Sequence, residues 1–148
     1  MTFTFLLFSL IILILSVVIH EVAHGAVADH LGDSTAKVAG RLSLNPIKHL
    51  DPMGSFLVPL ILFVFQSPIL IGWAKPVPIN PLNFSDKKYG EAKVALAGPV
   101  ANFFIALIFA MIVRFMPLSV EIYTLFSYVI FINLILFFFN LIPIPPLD

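Results

Sequence analysis

The chain has 148 residues, of which 60% are hydrophobic and only 11% are charged. Soluble domains carry about 25% charged residues, so this composition indicates a membrane protein and argues against a soluble enzyme. A formal net charge of zero and the absence of cysteine exclude a basic nucleic-acid surface, disulfides and thiolate metal sites.

The first apolar segment runs from Phe3 to about Ala28, long enough for a membrane helix. Its end carries the sequence HEVAH, in which His20 and His24 are four residues apart. Residues at this spacing share one helix face, so both rings can bind one metal ion, and Glu21 beside them can act on water as a general base. Ionisable residues inside a membrane are functional by default. The alternative is a packing role, in which the histidines hydrogen-bond between helices.

A polar stretch, Asp29 to Gly54, follows the first segment. Within it, apolar and polar residues alternate over Lys37–Leu44, which predicts a short β element. Such an edge could pair with an unwound substrate, or the element could pack without contacting substrate.

The second apolar segment, Phe56–Ile71, contains two prolines, Pro59 and Pro68. Sixteen residues reach only about 24 Å as a helix, short of the roughly 30 Å hydrocarbon core. We therefore predict a re-entrant or interfacial hydrophobic hairpin. This arrangement also places the basic stretches on both sides of it, residues 29–54 and 72–93, on the cytoplasmic face.

The third and fourth apolar segments, Val94–Phe115 and Ile122–Ile142, are joined by a short turn, which predicts an antiparallel pair of membrane helices. Gly98 and Asn102 in the third segment favour close helix packing and a hydrogen bond between helices, and Asn133 in the fourth has the same expected role. The predicted fold is thus an all-α membrane protein with three transmembrane helices, the hydrophobic hairpin and the short β element.

A hydrolytic zinc site has three protein ligands and a water, so a third ligand must complement the two histidines. Asp148 is the best-placed carboxylate, because it follows the fourth helix and emerges on the same face as His24 if the second segment does not span. Other acidic or histidine residues stay open as candidates: Asp29, His30, Asp33, His49, Asp51, Glu91 and Glu121.

Several motifs, in this order, resemble the site-2 protease family of intramembrane zinc metalloproteases. They are HEVAH in the first helix, LAGPVANF (Leu96 to Phe103) in the third, and NLIPIPPLD closing the fourth. The phrases GRLSLNP and IGWAKPVPINP resemble the compact prokaryotic branch without appended domains. The likeness covers essentially the whole chain.

The resemblance implies that His20, His24 and Asp148 bind one zinc ion and that Glu21 activates water. It implies that Asn140 holds the substrate backbone or the developing oxyanion. It also offers an alternative to the packing role of Gly98, Pro99 and Asn102, in which these residues shape the surroundings of the active site. The expected substrate is a single-span transmembrane protein, cleaved within the lipid bilayer of a prokaryotic cell near the cytoplasmic face. In the family the aspartate is followed by a glycine and further helices, so we expect residues 1–148 to be one membrane-embedded metalloprotease core, truncated at its C-terminus.

Two other functions are consistent with part of this pattern. A metal transporter would carry further acidic or histidine residues across the third and fourth segments. Neither Val94–Arg114 nor Ile122–Ile142 contains an acidic residue or a histidine. An inactive family member would bind transmembrane helices without cleaving them, and the intact Glu21 argues against it.

Overall fold

The structure, a computed structural model, describes residues 3–66 and 74–142. The α-helices in this part of the chain are α1 (Phe3–His30), α2 (Thr35–Val38), α3 (Val58–Val64), α4 (Gly90–Phe115) and α5 (Val120–Asn140). Shorter turns of 3₁₀-helix (Pro46–His49 and Pro81–Asn83) and π-helix (Pro52–Leu57) lie in the polar stretches or directly before α3.

Three helices, α1, α4 and α5, are long and apolar enough to cross a membrane. With a rise of about 1.5 Å per residue they measure roughly 42, 39 and 32 Å, against a hydrocarbon core of about 30 Å. The three transmembrane helices and the tight turn between the last two agree with the sequence prediction. The helix α4 begins four residues earlier than expected, because the Asp86 carboxylate accepts the N–H groups of Lys88 and Tyr89 directly before it.

The three long helices form a bundle in which α4 packs along both α5 and α1. Its interior holds polar side chains beside apolar ones, and its outer surface is apolar. Ser16, Asn102 and Asn133 are buried, whereas Leu10 and Phe104 are exposed. Lipid offers no hydrogen-bond partner to a polar side chain, so polar groups turn inward and apolar ones face outward.

The two polar stretches contact each other at one end of this bundle. The Lys75 N–H donates to the carbonyl of His49 at 2.9 Å. The Asp33 carboxylate accepts the N–H of Asn80 at 2.7 Å and the amide of Asn83 at 2.9 Å. The described residues before and after the second apolar segment therefore lie at the same end of the bundle.

The predicted β element is wrong. Over Lys37–Leu44 the chain ends helix α2 and then turns, and the described residues 3–66 and 74–142 contain no strand. Gly40 adopts a φ of +67°, and the N–H of Arg41 donates back to the carbonyl of Ala36 at 2.9 Å. This is a glycine-terminated helix end, in which the local turn satisfies backbone groups that a strand would have left for a partner.

The predicted hydrophobic hairpin is not supported. In its described part the π-helical turn continues directly into α3, a helical run that ends at Val64, and residues 65 and 66 form a turn; residues 67–71 lie outside the described part of the chain. The run forms because the Asp51 carboxylate caps it, accepting the N–H groups of Met53 and Gly54, and Pro52 fits its first turn.

Candidate metal centre

The HEVAH sequence lies on the continuous helix α1, where its two histidines point together into the bundle. His20 and His24 are 5% and 6% exposed. Their Nε2 atoms are 3.0 Å apart. The spacing of four residues has therefore brought the two rings together on one face, as the sequence predicts.

Each of these rings is held at Nδ1 by an oxygen that can only accept a hydrogen bond. His20 Nδ1 lies 2.5 Å from Oδ1 of Asn102, and His24 Nδ1 lies 2.7 Å from the carbonyl oxygen of Val94. A neutral imidazole carries one proton, so these contacts place it on Nδ1 and leave the lone pair on Nε2.

The two histidines therefore fit a zinc ion. With both protons on Nδ1, two nitrogen lone pairs face each other at 3.0 Å, an arrangement that a shared cation stabilises. Zinc bonds of about 2.0–2.1 Å in a tetrahedral site separate two nitrogen ligands by about 3.3 Å. Metal-binding histidines commonly donate their second N–H to a carboxylate, carbonyl or amide oxygen, as both do here.

Helix α4 approaches the histidines at a glycine and a proline. A Cβ on Gly98 would lie 2.4 Å from His24 Nε2 and 2.5 Å from His20 Nε2, so only glycine leaves room beside the rings. Pro99 lies inside the helix and has no N–H for the carbonyl four residues earlier, at Ala95. The Ala95 carbonyl that lacks this helical hydrogen bond is next to Val94, whose carbonyl accepts a hydrogen bond from His24 Nδ1.

Glu21 faces a cavity of about 310 Å³ beside the histidine pair. Its Oε2 accepts the N–H of Val77 at 2.9 Å, which fixes the carboxylate against the extended segment 74–80. The cavity also borders His24 and Glu91 and is otherwise apolar, with walls from Pro76, Val77, Ile79, Pro81, Phe84, Val94 and Ala95. A carboxylate and an imidazole thus meet at one mainly apolar cleft, which suits acid–base chemistry.

The third ligand predicted from the sequence, Asp148, lies outside the described residues. Within 3–66 and 74–142, no group of three histidine, aspartate or glutamate side chains is placed to hold a metal. Asn140, the other predicted site residue, is described, and its amide donates to the carbonyl of Leu136 in its own helix at 2.9 Å.

Most of the alternative ligands have structural roles away from the histidine pair. Asp33 and Asp51 accept backbone N–H groups, as described above. His49 Nε2 lies 2.8 Å from the carbonyl of Ser43, and Asp29 pairs with Lys37. His30 is exposed, and Glu121 begins α5 at the opposite end of the bundle. Glu91 alone among them borders the cavity.

Two groups that hold the site residues could not be found from the sequence. The carbonyl of Val94 and the N–H of Val77 belong to the backbone, which carries no residue-specific signal. Asn102 and Asn133 were predicted to hydrogen-bond between helices, which they do. The contact of Asn102 with His20 agrees with the alternative that Asn102 shapes the surroundings of the site, whereas nothing in the sequence connects Asn133 with His20.

Three curated relatives carry names that bear on this site. Over 93% of its length the chain is 43% identical to the Bacillus subtilis protein named "Putative zinc metalloprotease YwhC", of which it covers 64%. It is 28% identical, over 91% of its length, to the Mycobacterium tuberculosis protein named "Putative zinc metalloprotease Rip2", of which it covers 51%. It is also 28% identical, over 93% of its length, to "Zinc metalloprotease MJ0392" of Methanocaldococcus jannaschii, of which it covers 31%.

The chain thus spans between 31% and 64% of the length of these relatives. No protein-family profile and no solved structure matches it. The named relatives come from bacteria and an archaeon and agree on one metal and one reaction, and the paired histidines provide nitrogen ligands suited to that metal. The chain is therefore similar, over nearly its whole length, to proteins named zinc metalloproteases.

Proposed function

We propose that the chain is the core of a zinc-dependent intramembrane endopeptidase of the site-2 protease type, which cleaves single-span transmembrane proteins. The observation that carries the proposal is the pair of Nε2 atoms 3.0 Å apart, each ring held at Nδ1 by an acceptor, beside a glutamate at a cavity. These residues would hold one zinc ion per chain through His20 and His24, with Asp148 as the third ligand.

The direction of α5 supports Asp148 in that role. Asn133 contacts Asn102, which contacts His20, so the middle of α5 lies level with the first histidine. The helix continues for seven residues, about 10 Å, toward the end of the bundle where α4 begins. Asn140 thus lies near the level of His24, with seven residues between it and Asp148. Asn140 keeps its proposed role of holding the substrate backbone or oxyanion.

Glu21 is the proposed general base and acid. Its carboxylate would accept a proton from the attacking water and deliver it to the amine that leaves when the peptide bond breaks. The N–H of Val77 orients the carboxylate, and the apolar cavity walls limit its solvation. The zinc ion, when bound, acts as a Lewis acid that makes water a better nucleophile near neutral pH and polarises a carbonyl.

The surroundings of the histidine pair support a substrate from the membrane. Both rings are buried within helices whose outer surfaces are apolar, and they lie about two to three turns from the polar end of α1. A substrate helix arriving through lipid must expose a peptide bond at this depth. The proposed location is a prokaryotic cell membrane, with the site near the cytoplasmic face because the basic stretches lie at that end of the bundle.

The test combines metal analysis with cleavage. The chain, purified in detergent, should contain about one zinc per molecule and cleave a single-span reporter protein. Glu21→Gln should keep the zinc and lower the cleavage rate by about 10²–10⁴-fold, the usual contribution of a general base. His20→Ala should lose both zinc and cleavage.

Glu121→Gln is the matched control, because it makes the same change on a membrane helix at the opposite end of the bundle, and we expect normal cleavage. A protein that binds no zinc and cleaves nothing would contradict the proposal. Normal cleavage by Glu21→Gln would remove Glu21 from the mechanism. Equal cleavage of a soluble unstructured peptide would contradict the assignment of a transmembrane substrate.

A further inference from the structure

We propose that Asn133 on α5, acting through Asn102 on α4, fixes the proton of His20 on Nδ1 and thereby sets the affinity of the centre for zinc. Both asparagines are positioning residues, since neither reaches the face of His20 that carries Nε2. The inference rests on the proposed function in one respect, that His20 is a zinc ligand.

A continuous line of hydrogen bonds joins the three long helices at this level. Asn102 Oδ1 lies 2.5 Å from His20 Nδ1, and its amide donates to Asn133 Oδ1 at 2.8 Å and, more weakly, to the Ser16 carbonyl at 3.4 Å. The Asn133 amide donates to the carbonyl of Val129 at 2.9 Å and to the Ser16 hydroxyl at 3.0 Å. Both asparagine side chains are 0% exposed.

The Val129 carbonyl sets the orientation of both asparagine amides, because it can only accept a hydrogen bond. The Asn133 amide nitrogen must therefore face it, and Oδ1 of Asn133 must face Asn102. The Asn102 amide nitrogen then faces Asn133, which turns Oδ1 of Asn102 toward His20. Reversing either amide would set two oxygens or two NH₂ groups against each other in a buried site, where no water can relieve the conflict.

The Asn102 atom that faces Nδ1 of His20 decides whether Nε2 of His20 carries a proton or a lone pair. Facing an oxygen, Nδ1 keeps the proton and Nε2 offers a lone pair toward Nε2 of His24. Facing an NH₂ group, Nδ1 would have to accept, and the proton would move to Nε2, where it blocks metal binding. His24 does not share this dependence, because its Nδ1 donates to the backbone carbonyl of Val94. Asn133 therefore acts on one of the two histidines only.

The first measurement is the zinc affinity of the full chain in detergent, by competition with a chromophoric chelator. Loss of such a hydrogen-bond partner typically weakens metal binding by 10–100-fold. We expect a loss in this range for Asn102→Leu and a smaller one, of at least about threefold, for Asn133→Leu. Asn102→Asp should bind nearly as tightly as the unmodified chain, because a carboxylate can only accept from His20.

The second measurement reads the proton directly, without metal. Nitrogen NMR of the four histidines in the zinc-free protein should show His20 protonated on Nδ1 in the unmodified chain. In Asn133→Leu the signal should shift toward a mixture of the two tautomers. Thr124→Val, which removes a hydroxyl bonded only within its own helix, is the control and should change neither result.

The outcomes separate this inference from the proposed function. Failure of the unmodified chain to bind zinc contradicts the proposed function, while the NMR result still decides the role of Asn133. If the chain binds zinc but both leucine variants keep its affinity and tautomer, the asparagines merely hold the helices together, and the inference is overturned. If Asn102→Leu does not fold, Asn133→Leu decides the outcome, since it leaves the Asn102 side chain that contacts His20 in place.

Discussion

At the scale of single residues, Gly98 leaves the space in which the two imidazoles face α4. A methyl group there would meet both Nε2 atoms at 2.4–2.5 Å, closer than any real contact, and the rings could yield only by breaking their Nδ1 hydrogen bonds. We expect Gly98→Ala to weaken zinc binding by at least about tenfold, judged by the cost of losing such orienting bonds. Chelator competition on the purified chain measures this.

Gly90→Ala provides the comparison for that variant. It places the same methyl group on the same helix, where it meets the Phe84 ring at 2.8 Å rather than the imidazoles. It should lower thermal stability while keeping zinc affinity. Unchanged zinc binding in Gly98→Ala would mean that α4 moves away from α1 easily and that the close approach has no bearing on the metal.

The histidine pair could be predicted from sequence because one helix carries both rings, and helix geometry fixes their spacing. The partners of the rings could not. Val94 and Asn102 lie on another helix, and their register against His20 and His24 depends on how α4 packs, which Gly98 and Pro99 determine. A pattern within one element is local, whereas the hydrogen bonds that orient it come from residues 70–82 positions away.

At the scale of elements, Asp33 attaches the extended segment 74–84 to the end of α1. Burial alone would raise the pKa of this carboxyl. The N–H of Asn80, the hydroxyl of Thr35 and the amide of Asn83 stabilise its charged form, and together they hold the pKa below its ordinary value of 3.8. Since the same segment carries Val77 and lines the cavity, Asp33 supports the wall of the site.

The lowered pKa gives stability a definite pH dependence. A carboxyl whose pKa is lower in the folded protein than in the unfolded chain contributes stability above the unfolded value. That contribution disappears as the pH falls from about 4 through the folded pKa. Asp33→Ala should lower the free energy of unfolding by about 1–3 kcal/mol at neutral pH, because the buried N–H of Asn80 loses its acceptor. Unfolding in detergent, followed by circular dichroism from pH 7 to pH 3, measures both effects.

Lys93→Ala is the control, since it removes an exposed ion pair with Asp86, and exposed pairs contribute little to stability. The Asp33→Ala variant should also show a weaker loss of stability between pH 4 and pH 3 than the unmodified chain. An identical acid dependence in the two proteins would mean that Asp33 is not the group responsible.

Element prediction succeeded where hydrophobic length was decisive and failed where a short pattern was the only guide. The helices α1, α4 and α5 each contain more than twenty residues with few charges, which only a helix can satisfy in lipid. The alternation over Lys37–Leu44 spans eight residues, and Gly40 with its positive φ closes a turn there instead. The hairpin was predicted from Pro59 and Pro68, whereas capping by Asp51 starts a helical run that continues through Pro59 in α3.

At the scale of the whole molecule, the bundle has two different ends. One end carries both polar stretches, joined through Asp33 and the Lys75–His49 hydrogen bond, and the cavity opens near it. The other end carries the turn between α4 and α5. The helices α1, α4 and α5 alternate in direction, and the described residues on either side of the second apolar segment lie at the first of these ends.

The absence of cysteine makes this topology directly testable. Single substitutions Lys37→Cys, Lys88→Cys and Pro117→Cys place one thiol on each polar stretch and one on the α4–α5 turn, all at exposed positions. In oriented membrane vesicles, a maleimide that cannot cross the bilayer should label the first two from the same side and Pro117→Cys from the other. The positive-inside tendency predicts that the shared side is cytoplasmic. Labelling of Lys37→Cys and Lys88→Cys from opposite sides would require the second segment to span, and would separate His24 from the end of the fourth helix that the proposed zinc site needs.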